Sequence, residues 1–201
     1  MSNEYEYLDP DHAYVYKDTG VLRNLAGITN AQDLHFFESV AAAKRAKELA
    51  DNPLPVKNSN SLFAIHKYLF QDVYEWAGEK RTVEISKECT QFFPTNYFDT
   101  AIKYIDGMIT DFKGCDSRDR RELSKKLAAI LDTVNHFHPF REGNGRTQRE
   151  FLRVLALEKG FLLNLNPPDT TIVFKRYMSG VIEGNLEKLS NLIFDLLSES
   201  R

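Results

Sequence analysis

The chain has 201 residues, 42% of them hydrophobic and 27% charged, which is typical of one soluble globular domain. A net charge of −3 argues against a general nucleic-acid binder or a membrane-surface protein, and the acidic, polar N-terminus against a secretory signal peptide. Because no run approaches the roughly 18 apolar residues of a membrane span and neither Cys89 nor Cys115 lies in a CxxC motif, we expect one cytoplasmic domain over residues 1–201.

The first half of the chain is predicted to contain an arm, two helices and a hairpin. Residues 1–27 carry no periodicity but many tyrosines, which indicates an extended N-terminal arm laid over the domain. Apolar residues at helical spacing predict helices over Ala31–Ala50 and Ser61–Trp76, the second ending near Gly78. Two short β-like runs that flank polar residues predict a β-hairpin over residues 81–94.

The second half of the chain is predicted to be helical. The same spacing rules predict helices over Asn96–Phe112, Asp116–His136, Asn144–Lys159, residues 167 to about 180, and Leu186–Ser198. Neither a repeat nor an interdomain linker is present. The predicted fold class is therefore all-α, a helical bundle with one small β-hairpin.

The residues suited to chemistry are concentrated in one run, His138–Arg149, which reads HPFREGNGRTQR. Its glycines let main-chain N–H groups converge, and the following residues read as a helix whose positive end attracts an anion. Two arginines one helical turn apart can reach the same anion. The anion-binding candidates are Gly143, Asn144, Gly145, Arg146 and Arg149.

Two further side chains complete this set. Pro139 should end the preceding helix and fix His138 at the rim of the loop, where an imidazole can accept a hydroxyl proton at neutral pH. Glu142 can hold Mg²⁺, which proteins bind through one or two carboxylates together with substrate phosphates. Asn144 tolerates left-handed backbone, and its side-chain amide can also donate to a phosphate oxygen. The run therefore predicts chemistry on a nucleotide phosphate.

Other phosphate motifs and other chemistries fit less well. Gln148 stands where a dinucleotide fingerprint needs its third glycine, and the lysine-containing P-loop pattern is absent. A metal-dependent hydrolase could use His136, His138 and Glu142 as ligands, but histidines two apart on a helix point to different sides, so we interpret His136 as structural. A non-catalytic binding module also remains open.

The run HPFREGNGRTQR fills every fixed position of H-x-F-x-[DE]-G-N-G-R-x-x-R, and the chain therefore resembles the Fic family. The resemblance extends to Ile65–Arg81, to the hairpin and to the C-terminal YMSGVIEGNLEKL, while the arm YVYKDTGVLRNLAGI resembles bacterial members. It implies an all-α Fic-type bundle and a protein adenylyltransferase. Such an enzyme transfers AMP from ATP to a Tyr, Thr or Ser hydroxyl of a target protein and releases pyrophosphate.

The resemblance also implies a role for each residue of the run. His138 would deprotonate the target hydroxyl, and Glu142 would hold Mg²⁺ between the α- and β-phosphates. Phe140 would anchor the loop in the core. The main chain of Gly143, Asn144 and Gly145 would form an anion hole, while Arg146 and Arg149 would bind the β- and γ-phosphates. The alternative within this family is transfer of UMP, phosphocholine or phosphate.

Partners and regulation are implied as well. The hairpin over residues 81–94 would be the flap, which pairs with an extended target segment through main-chain hydrogen bonds. Members of the family are often inhibited by a glutamate in [ST]-x-x-x-E-[GN], which pairs with the second arginine of the run. Ser179–Gly184 matches this pattern and would supply Glu183. A separate small, antitoxin-like inhibitor protein that brings the glutamate is an equally open alternative.

Overall fold

The computed structural model describes residues 5–8, 12–87, 90–116, 118–166 and 171–200. Within these residues seven α-helices form the body of the molecule: α1 (Ala31–Asp51), α2 (Asn60–Phe70), α3 (Phe98–Gly114), α4 (Arg120–Phe137), α5 (Asn144–Glu158), α6 (Thr171–Ile182) and α7 (Leu186–Leu196). A 3₁₀ turn, Thr95–Tyr97, precedes α3. The predicted all-α bundle with a small hairpin is confirmed.

The core lies where α4 and α5 meet their neighbours. Helix α4 packs against α3, α5 and α7, while α2 packs against α1 and α5. Leucine, isoleucine and phenylalanine side chains at helical spacing supply the buried faces, which gives α4 and α5 a buried apolar side each. The loop between α4 and α5 is therefore fixed at each end by a helix that is packed into the core.

The helices end close to their predicted limits, with one exception. Helix α2 stops at Phe70, although we predicted it to reach Trp76. Val73 and Ala77 are buried but lie in turns that follow the helix. Their positions continue the apolar spacing of α2 beyond its last residue, and the prediction from spacing was therefore too long. For the helix predicted from residue 167, residues 167–170 lie outside the described part of the chain.

The predicted hairpin is part of a three-stranded antiparallel sheet. Its strands are β2 (Glu84–Lys87) and β3 (Thr90–Gln91), and the third strand, β1 (Tyr5–Leu8), comes from the N-terminal arm. β1 pairs with β2 in the order β1-β2-β3, which places Leu8 opposite Glu84. The arm thus contributes a strand, which the sequence did not indicate.

A second, two-stranded antiparallel sheet consists of β4 (Phe161–Leu162) and β5 (Ser198–Glu199). It pairs residues that follow α7 with residues that follow α5.

Among the described helices, none combines the length and the apolar character that a membrane crossing needs.

Candidate active site

The predicted run forms the end of α4, a tight loop and the start of α5. Pro139 follows the last helical turn, as expected of a residue that cannot continue a helix. His138 adopts left-handed backbone, with φ 43° and ψ 58°. This conformation is uncommon for a residue other than glycine and persists only where the surroundings impose it.

The imidazole of His138 is buried and oriented. Its Nδ1 lies 3.1 Å from the carbonyl oxygen of Asn135, and the ring stacks on Phe92 with 3.8 Å between centroids. Because a carbonyl oxygen can only accept, Nδ1 carries the proton of the neutral ring, and Nε2 is the nitrogen that can take another. His138 is therefore in the tautomer that a general base requires.

Arg81 holds the loop and the hairpin together, a role that the sequence did not indicate. The residue is only 2% exposed. Nε donates to the carbonyl oxygen of His138 at 2.9 Å, and the two terminal nitrogens donate to the carbonyl oxygens of Val83 and Phe93, each at 2.6 Å. The backbone N–H of Arg81 donates to the oxygen of Pro139. One guanidinium thus links the residues at the two ends of the hairpin, Val83 and Phe93, to His138.

Asn144 uses its side chain to close the loop. Its Oδ1 accepts from the N–H of Phe140 at 3.0 Å, and its Nδ2 donates to the Phe140 carbonyl oxygen at 2.7 Å. Both ends of the side-chain amide thus bond to the backbone of Phe140, so this side chain supports the shape of the loop. The main-chain N–H of Asn144, at the start of α5, is the group that faces the proposed anion. Phe140 is buried, as an anchor should be.

His66 is a second residue that sequence reasoning missed. Its Nδ1 accepts from the N–H of Gly78 at 2.8 Å, so Nε2 carries the proton that is donated to the carbonyl oxygen of Glu142 at 2.9 Å. The ring also stacks on Phe140, with 3.8 Å between centroids. Burial lowers the pKa of His66 from 6.5 to about 3, so the ring stays neutral. A lone histidine in an apolar helix gave no sign of this support.

The low pKa of His66 predicts an acid-sensitive fold. The unfolded chain binds a proton at His66 below pH 6.5, whereas the folded chain does so only near pH 3, so acid favours unfolding in this window. His66→Gln can keep both hydrogen bonds without titrating. We expect the wild-type unfolding free energy, relative to this variant, to fall by about 1.4 kcal/mol per pH unit below pH 6. Urea unfolding between pH 7 and pH 4 measures it, and parallel pH profiles would contradict the assignment.

The start of α5 is shaped to receive an anion. Gly143 has φ 81°, and a Cβ at this position would lie 2.4 Å from the ring of Phe70. The first N–H groups of a helix have no partner within the helix, and among the described residues no side chain caps α5, whereas Asn30 caps α1 and Asp119 caps α4. Gly143 therefore lets the ring of Phe70 pack against the loop, and the first N–H groups of α5 are left for a ligand.

The two arginines of the run differ in their surroundings. Arg146 pairs with the carboxylate of Glu38 on α1, and its guanidinium carbon lies 4.6 Å from the ring centroid of Phe70. Among the described residues, Arg149 forms no ion pair, and its Nε is buried without a hydrogen-bond partner. A buried donor left unpaired is costly, and a phosphate oxygen would satisfy it.

Glu142 lies between the base and the arginines. One of its oxygens accepts from the N–H of Gly143 at 2.8 Å and lies 3.5 Å from the guanidinium of Arg146. Its side chain is about one-third exposed. With Arg146 and Arg149 it borders a cavity of about 610 Å³, whose other walls include Glu38 and Tyr74. A hard cation bound by this carboxylate would therefore lie next to the anion site.

His136 lies apart from this arrangement. Its carbonyl oxygen accepts from the N–H of Phe93, and its ring meets that of Phe93 edge-on. Over the described residues, no group of three His, Cys, Asp or Glu side chains could hold one metal ion. The hydrolase alternative, which would bring His136, His138 and Glu142 together, gains no support.

The hairpin has one edge already occupied. β1 pairs along β2, so the hairpin that we predicted as two-stranded is part of a three-stranded sheet and is covered on its β2 side. The sheet rests on a small apolar cluster made by Tyr14 of the arm with Val83, Ile85 and Phe92. Because Phe92 also stacks on His138, the sheet lies directly against the proposed base.

Known proteins resemble this chain over most of its length. The Fic/DOC family model matches residues 57–156. Protein adenylyltransferase VbhT of Bartonella schoenbuchensis is 32% identical over 195 residues, a match that covers 96% of this chain but only 41% of that protein. A Salmonella typhimurium protein named "Probable protein adenylyltransferase Fic" is 31% identical over 202 residues, covering 100% of this chain and 98% of the relative.

A solved structure shows the same architecture. The N-terminal Fic domain of a VirB-translocated Bep effector protein from Bartonella quintana, with bound ADP, superimposes with a TM-score of 0.82 at 27% identity. The match covers 94% of this chain and 96% of that domain. The residues that the family model matches include the hairpin and the whole run from His138 to Arg149.

Proposed function

The chain belongs to the Fic/DOC family, and we infer that it is a protein adenylyltransferase, which transfers AMP from ATP to a hydroxyl side chain of a target protein. One observation carries this inference. The end of α4, the loop and the first turns of α5 bring together an oriented imidazole, an acidic residue, an uncapped helix start and two arginines, in the order that the family signature requires.

The proposed reaction follows from these positions. Nε2 of His138 accepts the proton of the target hydroxyl while the oxygen of this hydroxyl attacks the α-phosphorus of ATP. The bond from this phosphorus to the bridging oxygen breaks, and pyrophosphate leaves. The N–H groups at the start of α5 meet the charge on the α-phosphate, and Arg146 and Arg149 that on the β- and γ-phosphates. A fixed loop contributes because the reacting groups need not be assembled anew for each reaction.

We also propose that Glu142 holds Mg²⁺. A carboxylate that is about one-third exposed and lies beside the proposed anion site matches the way in which proteins bind this ion, with the phosphates as further ligands. When bound, Mg²⁺ would neutralise phosphate charge. We further propose that the reaction takes place in the cytoplasm, because an unpaired thiol such as that of Cys115 stays reduced there.

Labelled ATP tests the function. The protein is incubated with Mg²⁺, cell lysate and ATP that carries the label at either the α- or the γ-phosphate. Label on protein from α-labelled ATP alone supports AMP transfer, whereas label from γ-labelled ATP alone would mean phosphate transfer. UTP and CDP-choline, labelled in the transferred group, test the UMP and phosphocholine alternatives. The signal must depend on His138.

The target is proposed to bind through the sheet beside the base. β1 illustrates that an extended segment of chain can pair with the edge of β2 in antiparallel register. A target segment that displaced β1 and paired there through main-chain hydrogen bonds would be fixed next to the Phe92–His138 stack. Recognition of this kind reads backbone more than sequence.

Inhibition is proposed to come from a separate protein rather than from Glu183. In this structure Glu183 is exposed at the end of α6 and pairs with Lys188 at 2.7 Å while accepting from Ser179. We therefore expect Glu183→Gly to leave AMP transfer within about twofold of wild type, since an exposed pair of this kind contributes little. Initial rates of transfer from α-labelled ATP measure the effect. A large gain in activity would instead identify Glu183 as the inhibitory glutamate.

A further inference from the structure

Glu38 is a buried carboxylate far from the run in sequence but in contact with it in space. It lies on α1 and is 6% exposed. Acidic side chains are almost never buried at this level unless they are paired. Both oxygens of Glu38 have partners: one accepts from the guanidinium of Arg146 and the other from the hydroxyl of Tyr74.

Tyr74 fixes the carboxylate from the other side. It is 2% exposed and lies in the turns that follow α2, where its ring stacks on Trp76. Burial, together with the negative charge of Glu38, raises the pKa of Tyr74, so the hydroxyl stays protonated and remains a donor. Tyr74 therefore holds Glu38 with a hydrogen bond that persists across the physiological pH range.

Arg146 is held on several sides as a result. Glu38 binds one terminal nitrogen, the ring of Phe70 lies beneath the guanidinium, and Glu142 is 3.5 Å away. A guanidinium is planar, with five N–H donors in fixed directions, so binding one edge fixes the others. Arg149, which has no such carboxylate among the described residues, is not constrained in this way.

We propose that Glu38 and Tyr74 are positioning residues that hold Arg146 ready for the β- and γ-phosphates of ATP, an inference that rests on the function proposed above. Neither residue belongs to the signature run. A group that is oriented before the ligand arrives loses less freedom on binding, which strengthens the interaction. If Glu38 instead competed with phosphate for Arg146, its removal would strengthen ATP binding, so the two possibilities predict opposite changes.

The test compares nucleotide binding by Glu38→Gln, Tyr74→Phe and wild type, using calorimetry with ATP and with AMP in the presence of Mg²⁺. We expect Glu38→Gln to raise the Kd for ATP about tenfold, and Tyr74→Phe about threefold, as lost orientation of one charged contact predicts. The Kd for AMP, which lacks the β- and γ-phosphates, should stay within about twofold. The KM for ATP should rise in parallel with the Kd.

Glu48→Gln is a matched control. Glu48 is on the same helix and is likewise bonded by a tyrosine hydroxyl, Tyr68 at 3.0 Å, and by an arginine, Arg45 at 2.9 Å. It does not border the cavity next to Glu142, so neither Kd should change. Thermal unfolding checks that each variant is folded.

Several results would overturn the proposal. A lower Kd for ATP in Glu38→Gln would identify a competing carboxylate, and equal losses for ATP and AMP would identify a merely structural one. If wild type binds ATP but transfers no AMP, the proposed function fails while the binding comparison still decides the role of Glu38. If wild type binds no ATP, both fail.

Discussion

Replacing His138 with alanine is expected to lower the rate of AMP transfer by a factor of about 10² to 10⁴, the usual contribution of a positioned general base. Because Nδ1 donates to the carbonyl oxygen of Asn135, Nε2 is the nitrogen that would take the hydroxyl proton, and the alanine variant lacks it. ATP binding should persist, because the proposed anion site is formed by other residues at the start of α5. The rate is measured with α-labelled ATP and a saturating protein substrate.

The backbone of His138 calls for a second variant. Alanine is strained at φ 43°, so His138→Ala could lose activity through the loop rather than through the base. Asparagine tolerates left-handed backbone but is not a base at neutral pH. His138→Asn should therefore be as inactive as His138→Ala. Substantial activity in a folded His138→Asn would show that this imidazole is not the base.

Arg81→Met is expected to destabilise the protein by about 3 to 5 kcal/mol. The change leaves the carbonyl oxygens of His138, Val83 and Phe93 without the donor that each has now, and an unsatisfied buried group costs about 1 to 3 kcal/mol. Domains of this size are stable by only about 5 to 15 kcal/mol, so the loss is severe. Urea unfolding followed by circular dichroism measures it.

Two comparisons test the cause. Arg81→Lys keeps a charge but cannot serve three carbonyl groups in their present directions, so it should lose nearly as much stability. Arg118→Met removes an exposed arginine that bonds to Asp116, and it should change stability by less than about 0.5 kcal/mol. If Arg81→Met unfolds at the same urea concentration as Arg118→Met, the role assigned to Arg81 is wrong.

The sequence predicted the loop well because its residues are consecutive. A helix stop, two glycines and two arginines one turn apart can be recognised without any knowledge of distant neighbours. Glu38, His66 and Arg81 could not be recognised in this way. Each is a polar residue whose role depends on at least one partner between 12 and 108 positions away, and local pattern cannot distinguish it from an ordinary surface or core residue.

The errors in the fold have a similar origin. Burial of Val73 and Ala77 continues a helical pattern through turns, so periodicity alone placed the end of α2 too late. β1 is four residues long, and its partner β2 follows more than 75 residues later, so only the folded chain shows the pairing. Short strands joined over long separations leave little trace in composition.

If a target pairs with the edge of β2 as proposed, β1 competes with it for this edge from within the same chain. A segment that is attached to the same chain acts at a high local concentration, on the order of millimolar for short flexible connections. A target that binds the sheet weakly would find the edge of β2 taken, whereas one with additional contacts elsewhere could displace the strand. The arm would then work as a threshold, so that only well-anchored partners are modified.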